Sequence, residues 1–412
     1  MPAVKLSPRQ SFIFSSLCCL VYFTSYMTRL NYGAAISEIA DSLRVSNSLA
    51  GMALIGSFIA YGIGQPIFGL IGDRLPPRHM IASGLVATAL LNLAVANTGN
   101  IYLITVIWCF NGLFQAMLWP PLVRIMTQTL SREAYNNASV GVVAAASAGT
   151  IGVYLLVPLC IVLSGWRMSF AIPAGLSLLV AGIWFAGARK FPSQSSGGAM
   201  NPVTEQASGK AVPLIFASGL LPIIAAIVLQ GALRDGITTW MPTFIDDNFG
   251  LGNSFSILST AVLPAFTIIS VSAASFVQRI LQNEVRTATL FWAAALVTAG
   301  LLIALYNANA IIGIALMACL TGCMHGINLM LISLLPVHFA KFGKVATISG
   351  ILNAFTYLGS AGSIYGIAAM SGRFGWEITI VVWCAMALAG VILCAFCTKR
   401  WHRFIAKAGQ EA

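Results

Sequence analysis

The sequence predicts an all-α membrane protein of twelve transmembrane helices arranged as two six-helix halves. Three observations carry that prediction. Of 412 residues, 58% are hydrophobic and only 8% are charged, with a mean hydropathy of +0.88, whereas soluble proteins carry about 25% charged residues. Apolar runs of about 20 residues, the length that crosses a bilayer core, recur along the chain between short polar breaks. One long polar stretch, 191–210, falls near the middle.

Taken in order, the first run spans 11–36 and follows a short basic start without a small-x-small cleavage signature, so it reads as a retained helix. Runs at 50–71 and 79–97 follow, the latter closed by the turn chemistry of Asn97-Thr-Gly-Asn100. The fourth, 101–129, contains Trp119-Pro120-Pro121, where two prolines must interrupt the hydrogen-bond ladder and kink the helix. The fifth, 137–163, carries the small-residue run Gly141–Gly152, read as a packing surface, and stops at Leu163-Ser-Gly-Trp-Arg167; the sixth is 167–189. The stretch 191–210 (FPSQSSGGAMNPVTEQASGK) has no helical periodicity and reads as a flexible linker. It divides a first half, 1–190, from a second, 211–412. The second half holds runs at 211–244, 254–280, 287–306, 309–339, 345–370 and 376–398, with Ser371–Glu377 as the last break.

The formal net charge is +11, but the basic residues are spread singly through short loops, which argues against a nucleic-acid partner. Sixteen of the 22 Lys and Arg residues fall on one side of the predicted membrane and three, Arg44, Arg167 and Arg373, on the other. That bias predicts both termini and the linker in the cytoplasm of an inner-membrane protein. The nine cysteines lie in apolar runs without metal or redox spacing and read as small buried side chains. No metal cluster, nucleophile–base pair or nucleotide loop is visible. An enzyme is therefore not expected, and neither is a cofactor.

Two arginines stand inside predicted spans at matching places: Arg29 near the end of the first helix of one half, Arg234 near the end of the first helix of the other. A charge at bilayer depth costs about 2.5–3.5 kcal/mol on insertion scales, so such residues mark function. A guanidinium stays charged and can fork onto two oxygens of a phosphate or carboxylate. A positive site at the midplane suits an anion. Tyr22, Tyr26 and Arg29 share one helix face at i, i+4, i+7; the tyrosines are either hydroxyl donors beside the guanidinium or interfacial aromatics. Gln115, Trp119, His325, Asn353 and Tyr357 are the other polar or aromatic candidates within spans. Asn353 and Tyr357 lie one turn apart, and His325 is either a titrating group or a satisfied structural histidine. Asp235 adjoins Arg234, but consecutive helical residues point in different directions, so pairing within the helix is not expected.

Gly69-Leu-Ile-Gly-Asp73-Arg74-Leu-Pro-Pro-Arg78 resembles the G-x-x-x-D-R-x-x-x-R/K signature of the major facilitator superfamily. The loop following the eighth helix, Gln278–Arg286, is a degenerate counterpart. Asp73, Arg74 and Arg78 are the conformational-switch candidates: an acid that can cap a helix end and pair with basic groups holds one access state until the contact breaks. A narrower resemblance joins several segments. Tyr26-Met-Thr-Arg29-Leu-Asn31-Tyr32 is similar to the Y-x-x-R-x-N-[FY] of the organophosphate:phosphate antiporters. Phe114-Gln115-Ala-Met-Leu-Trp119-Pro120-Pro121-Leu-Val-Arg124 resembles their F-Q-G-M-x-W-P-P-x-x-R. Leu233-Arg234-Asp235-Gly236 with Trp240-Met-Pro242-Thr-Phe244 resembles L-R-Y-G with W-x-P-T-[YF], and Tyr357-Leu358-Gly359 matches a Y-L-G. The resemblance runs in order through both halves. It implies the two-half fold, transport by alternating access, and a phosphoryl-binding role for Arg29 and Arg234.

Two departures narrow the substrate. Gln65 stands where that family often has a lysine, and Ala144–Ala146 where it often has a histidine. A site that keeps the arginines but loses the positive or titratable groups around them fits inorganic phosphate less well than a less charged anion, a carboxylate or a phosphodiester. The expected function is secondary active transport of a small organic anion, by exchange for a counter-anion, since exchange needs no titrating group. The alternatives are proton-coupled symport of an organic acid such as a sugar acid, with Asp235 or His325 titrating, and a transporter-like membrane sensor of a phosphorylated ligand. Besides the substrate, the lipid bilayer is the expected partner, and a monomer the expected state.

Overall fold

The computed structural model describes residues 6–191, 219–251, 259 and 262–410, and among them there is no strand. The expected linker 191–210, apart from Phe191, lies outside the described residues, as do the starts of the predicted runs 211–244 and 254–280. The chain forms two compact units: Met1–Ser208 with Phe339–Ala354, and Gly209–His338 with Phe355–Ala412.

The first unit contains α1 (Pro8–Leu43), α2 (Asn47–Arg74), α3 (Pro77–Ala96), α4 (Ile101–Gln115), α5 (Trp119–Thr129), α6 (Arg132–Ser164) and α7 (Met168–Ala188). α1 begins in a capping box: the Ser7 hydroxyl accepts from the Gln10 N–H, and the Gln10 side chain accepts from the Ser7 N–H at 2.9 Å. These bonds satisfy amides that have no partner within the helix. Both ends of α1 run beyond the predicted 11–36, because apolarity ceases at the bilayer edge while helical hydrogen bonding continues through Glu38 and Asp41. α4 and α5 together form the fourth predicted span, and the ladder breaks at Ala116–Leu118, just ahead of Pro120 and Pro121.

The small residues of α6 pack on α1 as expected. A Cβ at Gly149 would come within 2.8 Å of the Phe23 carbonyl oxygen and 2.9 Å of the Tyr26 Cβ. Backbone approach of this kind substitutes in lipid for the missing hydrophobic drive between helices.

The second unit contains α8 (Leu220–Phe249), α9 (Leu263–Leu281), α10 (Glu284–Leu305) and α11 (Ala310–Asn328). α11 passes into a π-helical turn, Leu329–Leu334, and then a 3₁₀ turn, Leu335–Phe342. Pro336 explains the change of register: it lacks an N–H, and its ring would clash with the Ile332 carbonyl of a regular helix. The last element, α12 (Val345–Gln410), starts in the first unit and continues in the second from Phe355. Its one non-helical residue is Gly375, at φ 80°, ψ 175°. The predicted seven-residue break thus shrinks to a single position, which suits glycine because side chains disfavour positive φ.

Eleven described helices are long and apolar enough to cross a membrane, and the part of α12 ahead of Gly375 adds a further helical stretch. All nine cysteines are free thiols. Cys18, Cys160, Cys394 and Cys397 are buried, but Cys319 is exposed, so the reading of all nine as buried side chains is corrected. In a bilayer protein the outer face of a helix is as apolar as its core, and hydropathy does not distinguish them.

Candidate functional site

On α1 the Arg29 side chain is half-buried within an aromatic cluster. Its guanidinium carbon lies 4.2 Å from the Tyr61 ring centroid and 5.8 Å from that of Tyr26. The Tyr26 ring packs at 5.4 Å against Tyr22, which in turn packs at 5.1 Å against Trp119 on α5. The face of α1 expected from the i, i+4, i+7 spacing is therefore assembled, and the break before Pro120 brings Trp119 onto it. Stacking on an electron-rich ring is worth about 0.5–1 kcal/mol when exposed and about 2 or more when desolvated, which offsets part of the cost of holding a cation at this depth. Tyr61 was missed as a site residue by sequence reasoning. The only signal for it was its place one turn before Gln65 on α2.

The neighbouring motif residues have a different role. Asn31 donates to the Asn92 side-chain oxygen at 2.8 Å and to the Ser169 carbonyl at 3.0 Å; Asn92 donates to the Thr28 carbonyl, as does Asn111, each at 3.1 Å. Tyr32 donates to the Ala50 carbonyl at 2.9 Å. Gln115 donates to the Thr28 hydroxyl at 2.8 Å and the Ser25 carbonyl at 3.2 Å. These side chains join α1 to α2, α3, α4 and α7, satisfying polar groups that lipid cannot. In the first unit the structure thus groups Arg29 with Tyr22, Tyr26 and Trp119, and places Gln115 in the packing network beside them.

In the second unit Arg234 is met by Asp235. Arg234 Nε donates to Oδ1 at 2.6 Å and Nη2 to Oδ2 at 2.8 Å, with the side chains 12% and 29% exposed. The expectation that adjacent positions would not pair is corrected. The long, jointed arginine stem bends its planar fork back across the roughly 100° between successive residues, and a two-bond charge-assisted contact rewards that bend. Asp235 stands where the L-R-Y-G pattern has a tyrosine. The guanidinium carbon of Arg234 lies 5.9 Å from the Tyr357 ring centroid. His325 on α11 interacts electrostatically with both Arg234 and Asp235, and the Ser360 hydroxyl of α12 lies beside the carboxylate. His325, Tyr357 and Arg234 thus come together with Asp235, the acid considered as a titrating group, and Ser360 joins them without having been among the sequence candidates. Asn353, also on α12, is buried in the segment belonging to the first unit. Gln230, one turn before Arg234, donates to the Met324 carbonyl at 3.0 Å and so ties α8 to α11.

The switch candidates fall at the end of α2 (Asp73, Arg74) and in the first turn of α3 (Arg78). Asp73 Oδ1 accepts from the Ala346 N–H at 2.9 Å; Oδ2 accepts from the Thr347 N–H at 2.9 Å and also from the Thr347 hydroxyl. The carboxylate thereby caps the first turn of α12, where unsatisfied amides and the helix dipole favour an anion. Gly69 lies against the same turn, and a Cβ there would come within 2.7 Å of the Ala346 carbonyl oxygen. Arg78 donates to the Phe191 carbonyl at the end of α7, and Arg74 is exposed. Arg124 of α5 caps the end of α2 by donating to the Gly72 carbonyl and, at 3.0 Å, to the Leu75 carbonyl.

One acid was misplaced by sequence reasoning. Glu284, read as a loop residue, is 3% exposed at the start of α10. It accepts from Gln278 at 3.1 Å and from the Trp401 indole at 3.4 Å, and lies 3.0 Å from His338 Nε2. Composition cannot separate an acid in a loop from one folded beneath a helix end.

Comparison with known proteins agrees with this architecture. The Major Facilitator Superfamily profile matches residues 18–364. A glycerol-3-phosphate transporter of Bacillus subtilis (strain 168) is 24% identical over 407 residues, covering 90% of this chain and 89% of the relative. A probable hexose phosphate transport protein of Chlamydia muridarum is 28% identical over 161 residues, 39% of this chain and 35% of that protein. The membrane sensor protein UhpC of Escherichia coli (strain K12) is 27% identical over 165 residues, 40% and 37% of the two chains. The match thus spans about a third of the length of these last two relatives. Among solved structures, the transporter FucP in the outward conformation superposes with a TM-score of 0.74 at 14% identity, covering 94% of this chain and 99% of that one, a likeness of fold alone. The chain belongs to the major facilitator superfamily, and within it is similar to the organophosphate:phosphate antiporters that its motifs resemble.

Proposed function

We propose that this protein is a secondary active transporter that carries a small organic anion, a phosphate ester or a carboxylate, across the membrane by alternating access. Arg29 and Arg234 bind the anionic group. The observation that carries the reading is a half-buried arginine on the first helix of each half, each set beside tyrosine rings, in a chain with 8% charged residues. The relatives support the substrate class: they are named as transporters of glycerol-3-phosphate and of hexose phosphate, and a hexuronate transporter of Bacillus subtilis is 22% identical over 262 residues. Gln65 and Ala144–Ala146 supply no further positive charge, which favours a carboxylate or a phosphodiester over inorganic phosphate. Exchange of one anion for another is the basal reaction. In it Tyr22, Tyr26, Trp119, His325, Asn353 and Tyr357 contact the substrate, Gln115 braces the helices behind it, and Asp73, Arg74 and Arg78 set the access state. The protein works as a monomer in the inner membrane, with both termini in the cytoplasm.

The test is counterflow in proteoliposomes loaded with glycerol 3-phosphate or glucuronate. Arg29→Lys and Arg234→Lys keep the charge but lose the fork, and each is expected to reduce counterflow at least tenfold, the equivalent of about 1.4 kcal/mol. Counterflow untouched by both substitutions defeats the site assignment. The similarity to UhpC supports a second reading, a membrane sensor of a phosphorylated ligand, which predicts ligand binding in detergent with no counterflow in liposomes.

A further inference from the structure

A cleft of about 380 Å³ opens on the outer face of the first unit where α3 meets α7, and none of the candidate transport-site residues lines it. One wall is a stripe of α3: His79, Ala82, Ser83, Val86, Ala87 and Leu90, which share a helix face. From His79 to Leu90 the rise is about 16 Å, half of a hydrocarbon core ~30 Å thick. Phe185 of α7, 41% exposed, is the other wall. The walls are fixed to each other, since Ser177 donates to the Leu85 carbonyl at 2.9 Å and the Trp184 indole to the Arg78 carbonyl at 3.1 Å.

The two ends of the cleft differ in chemistry. Toward the bilayer centre it is lined by Val86, Ala87 and Leu90. At its mouth the Arg189 guanidinium carbon lies 4.3 Å from the Phe185 ring centroid, and the His79 ring centroid lies 6.1 Å from it. Lys190 follows Arg189, and both are exposed. α3 begins at the same end without a side-chain cap, so its positive dipole end adds to the field. Neither α3 nor α7 carries an acidic residue, and Arg189 has no carboxylate partner among the described residues. An apolar helix of a second copy laid in the cleft would leave these cations without an anion. A molecule with an anionic head and a hydrocarbon tail satisfies both ends.

We infer that this cleft binds one anionic phospholipid of the adjoining leaflet. The guanidinium of Arg189, with its face on Phe185, keeps its N–H edge for two phosphate oxygens, and the His79 ring offers an N–H in either tautomer. The Ser83 hydroxyl, one turn further in, meets the glycerol portion, and one acyl chain runs along Val86, Ala87 and Leu90 to the bilayer centre. With the termini in the cytoplasm as proposed above, this is the cytoplasmic leaflet, whose surface is negatively charged. The bound lipid touches both α3 and α7 and so stabilises their pairing.

The test is native mass spectrometry of the full chain in detergent with equal amounts of dioleoyl phosphatidylglycerol and dioleoyl phosphatidylcholine, which share their chains and differ in net charge. Wild type is expected to retain one phosphatidylglycerol in preference to phosphatidylcholine. Arg189→Gln should weaken that retention about fivefold, the effect of one surface cation on an anionic lipid, and adding His79→Ala should abolish the preference. Arg189→Lys keeps the charge and should keep the preference, which separates loss of the anion contact from loss of fold. Ala87→Phe fills the apolar half and should lower retention of both lipids several-fold with the mouth intact. Equal retention of the two lipids by wild type overturns the inference, as does a preference that survives in the Arg189→Gln, His79→Ala double variant. Displacement of phosphatidylglycerol by inorganic phosphate, with no effect of Ala87→Phe, shows a bare anion site and overturns the lipid assignment. A dimer that Ala87→Phe dissociates shows a helix of a second copy in the cleft and overturns it equally.

Discussion

Asp73 presents the sharpest structural test, because its side chain is fully accounted for. It accepts the Ala346 and Thr347 amides at 2.9 Å each, and the Thr347 hydroxyl as well. Asp73→Asn keeps one acceptor oxygen and turns a second donor group toward a helix end that needs acceptors. A hydrogen bond to a charged group contributes about 1.5–3 kcal/mol net, and the charge beside the helix N-terminus a further ~0.3–1 kcal/mol. Losing two of three bonds therefore sets an upper bound of about 7 kcal/mol. Measured losses of whole N-caps run only about 0.5–2 kcal/mol, because water replaces the cap. Here Asp73 is half-buried and the Thr347 hydroxyl loses its partner too, so about 2–3 kcal/mol is expected. At 1.4 kcal/mol per tenfold, the first turn of α12 should open about 30- to 150-fold more often. Hydrogen–deuterium exchange of a peptide containing Ala346 and Thr347 should accelerate by that factor in Asp73→Asn, while peptides from the middle of α3 remain unchanged. Unaltered protection of these two amides would refute the capping argument and, with it, the assignment of Asp73 to the access switch.

Two further outcomes follow from packing and stacking. Tyr61→Ala removes the ring 4.2 Å from the Arg29 guanidinium and should weaken anion binding by about 1–2 kcal/mol, some 5- to 30-fold, whereas Tyr61→Phe keeps the ring face and should change Kd less than about threefold; equal losses in both variants would place the contribution in the hydroxyl. Gly359→Ala puts a Cβ onto the Val228 carbonyl oxygen, with the Val228 carbonyl carbon at 2.8 Å and the Ala232 nitrogen at 3.1 Å, and should destabilise by about 1–3 kcal/mol through overpacking; Gly182→Ala, with nothing within 4 Å of the new atom, should not lower the thermal midpoint in the same assay.

The fold was legible because its signal is coarse. Apolar length, charge bias and small-residue stripes all survive uncertainty of several residues at helix ends. The candidate site was legible only where a residue type is costly in lipid. Arg29 and Arg234 stand out at any alignment, and the tyrosine face of α1 follows from its 3.6-residue period. What stayed hidden depends on side-chain reach and on long-range partners. The fork between Arg234 and Asp235 defeats a rule about helix faces that holds for short side chains. Tyr61 becomes relevant only through its approach to Arg29, and Glu284 only because α10 begins beneath Trp401 and His338.

Motif resemblance also groups residues that serve different ends. In the run from Tyr26 to Tyr32, Tyr26 and Arg29 belong to the candidate site, whereas Thr28, Asn31 and Tyr32 have their hydrogen bonds consumed by α2, α3, α4 and α7. Gln230 and Arg234 divide in the same way on α8. A polar side chain in lipid needs a partner, so the hydrogen bonds that Thr28, Asn31, Tyr32 and Gln230 make to neighbouring helices mark them as scaffold, which sequence similarity does not reveal. The same accounting breaks the expected equivalence of the two halves. Both carry an arginine on the first helix, but Arg29 faces the Tyr61 and Tyr26 rings while Arg234 holds a carboxylate in its fork. Repeated architecture therefore does not imply repeated chemistry: the two first-helix arginines sit in different surroundings, one against aromatic rings and one against a carboxylate.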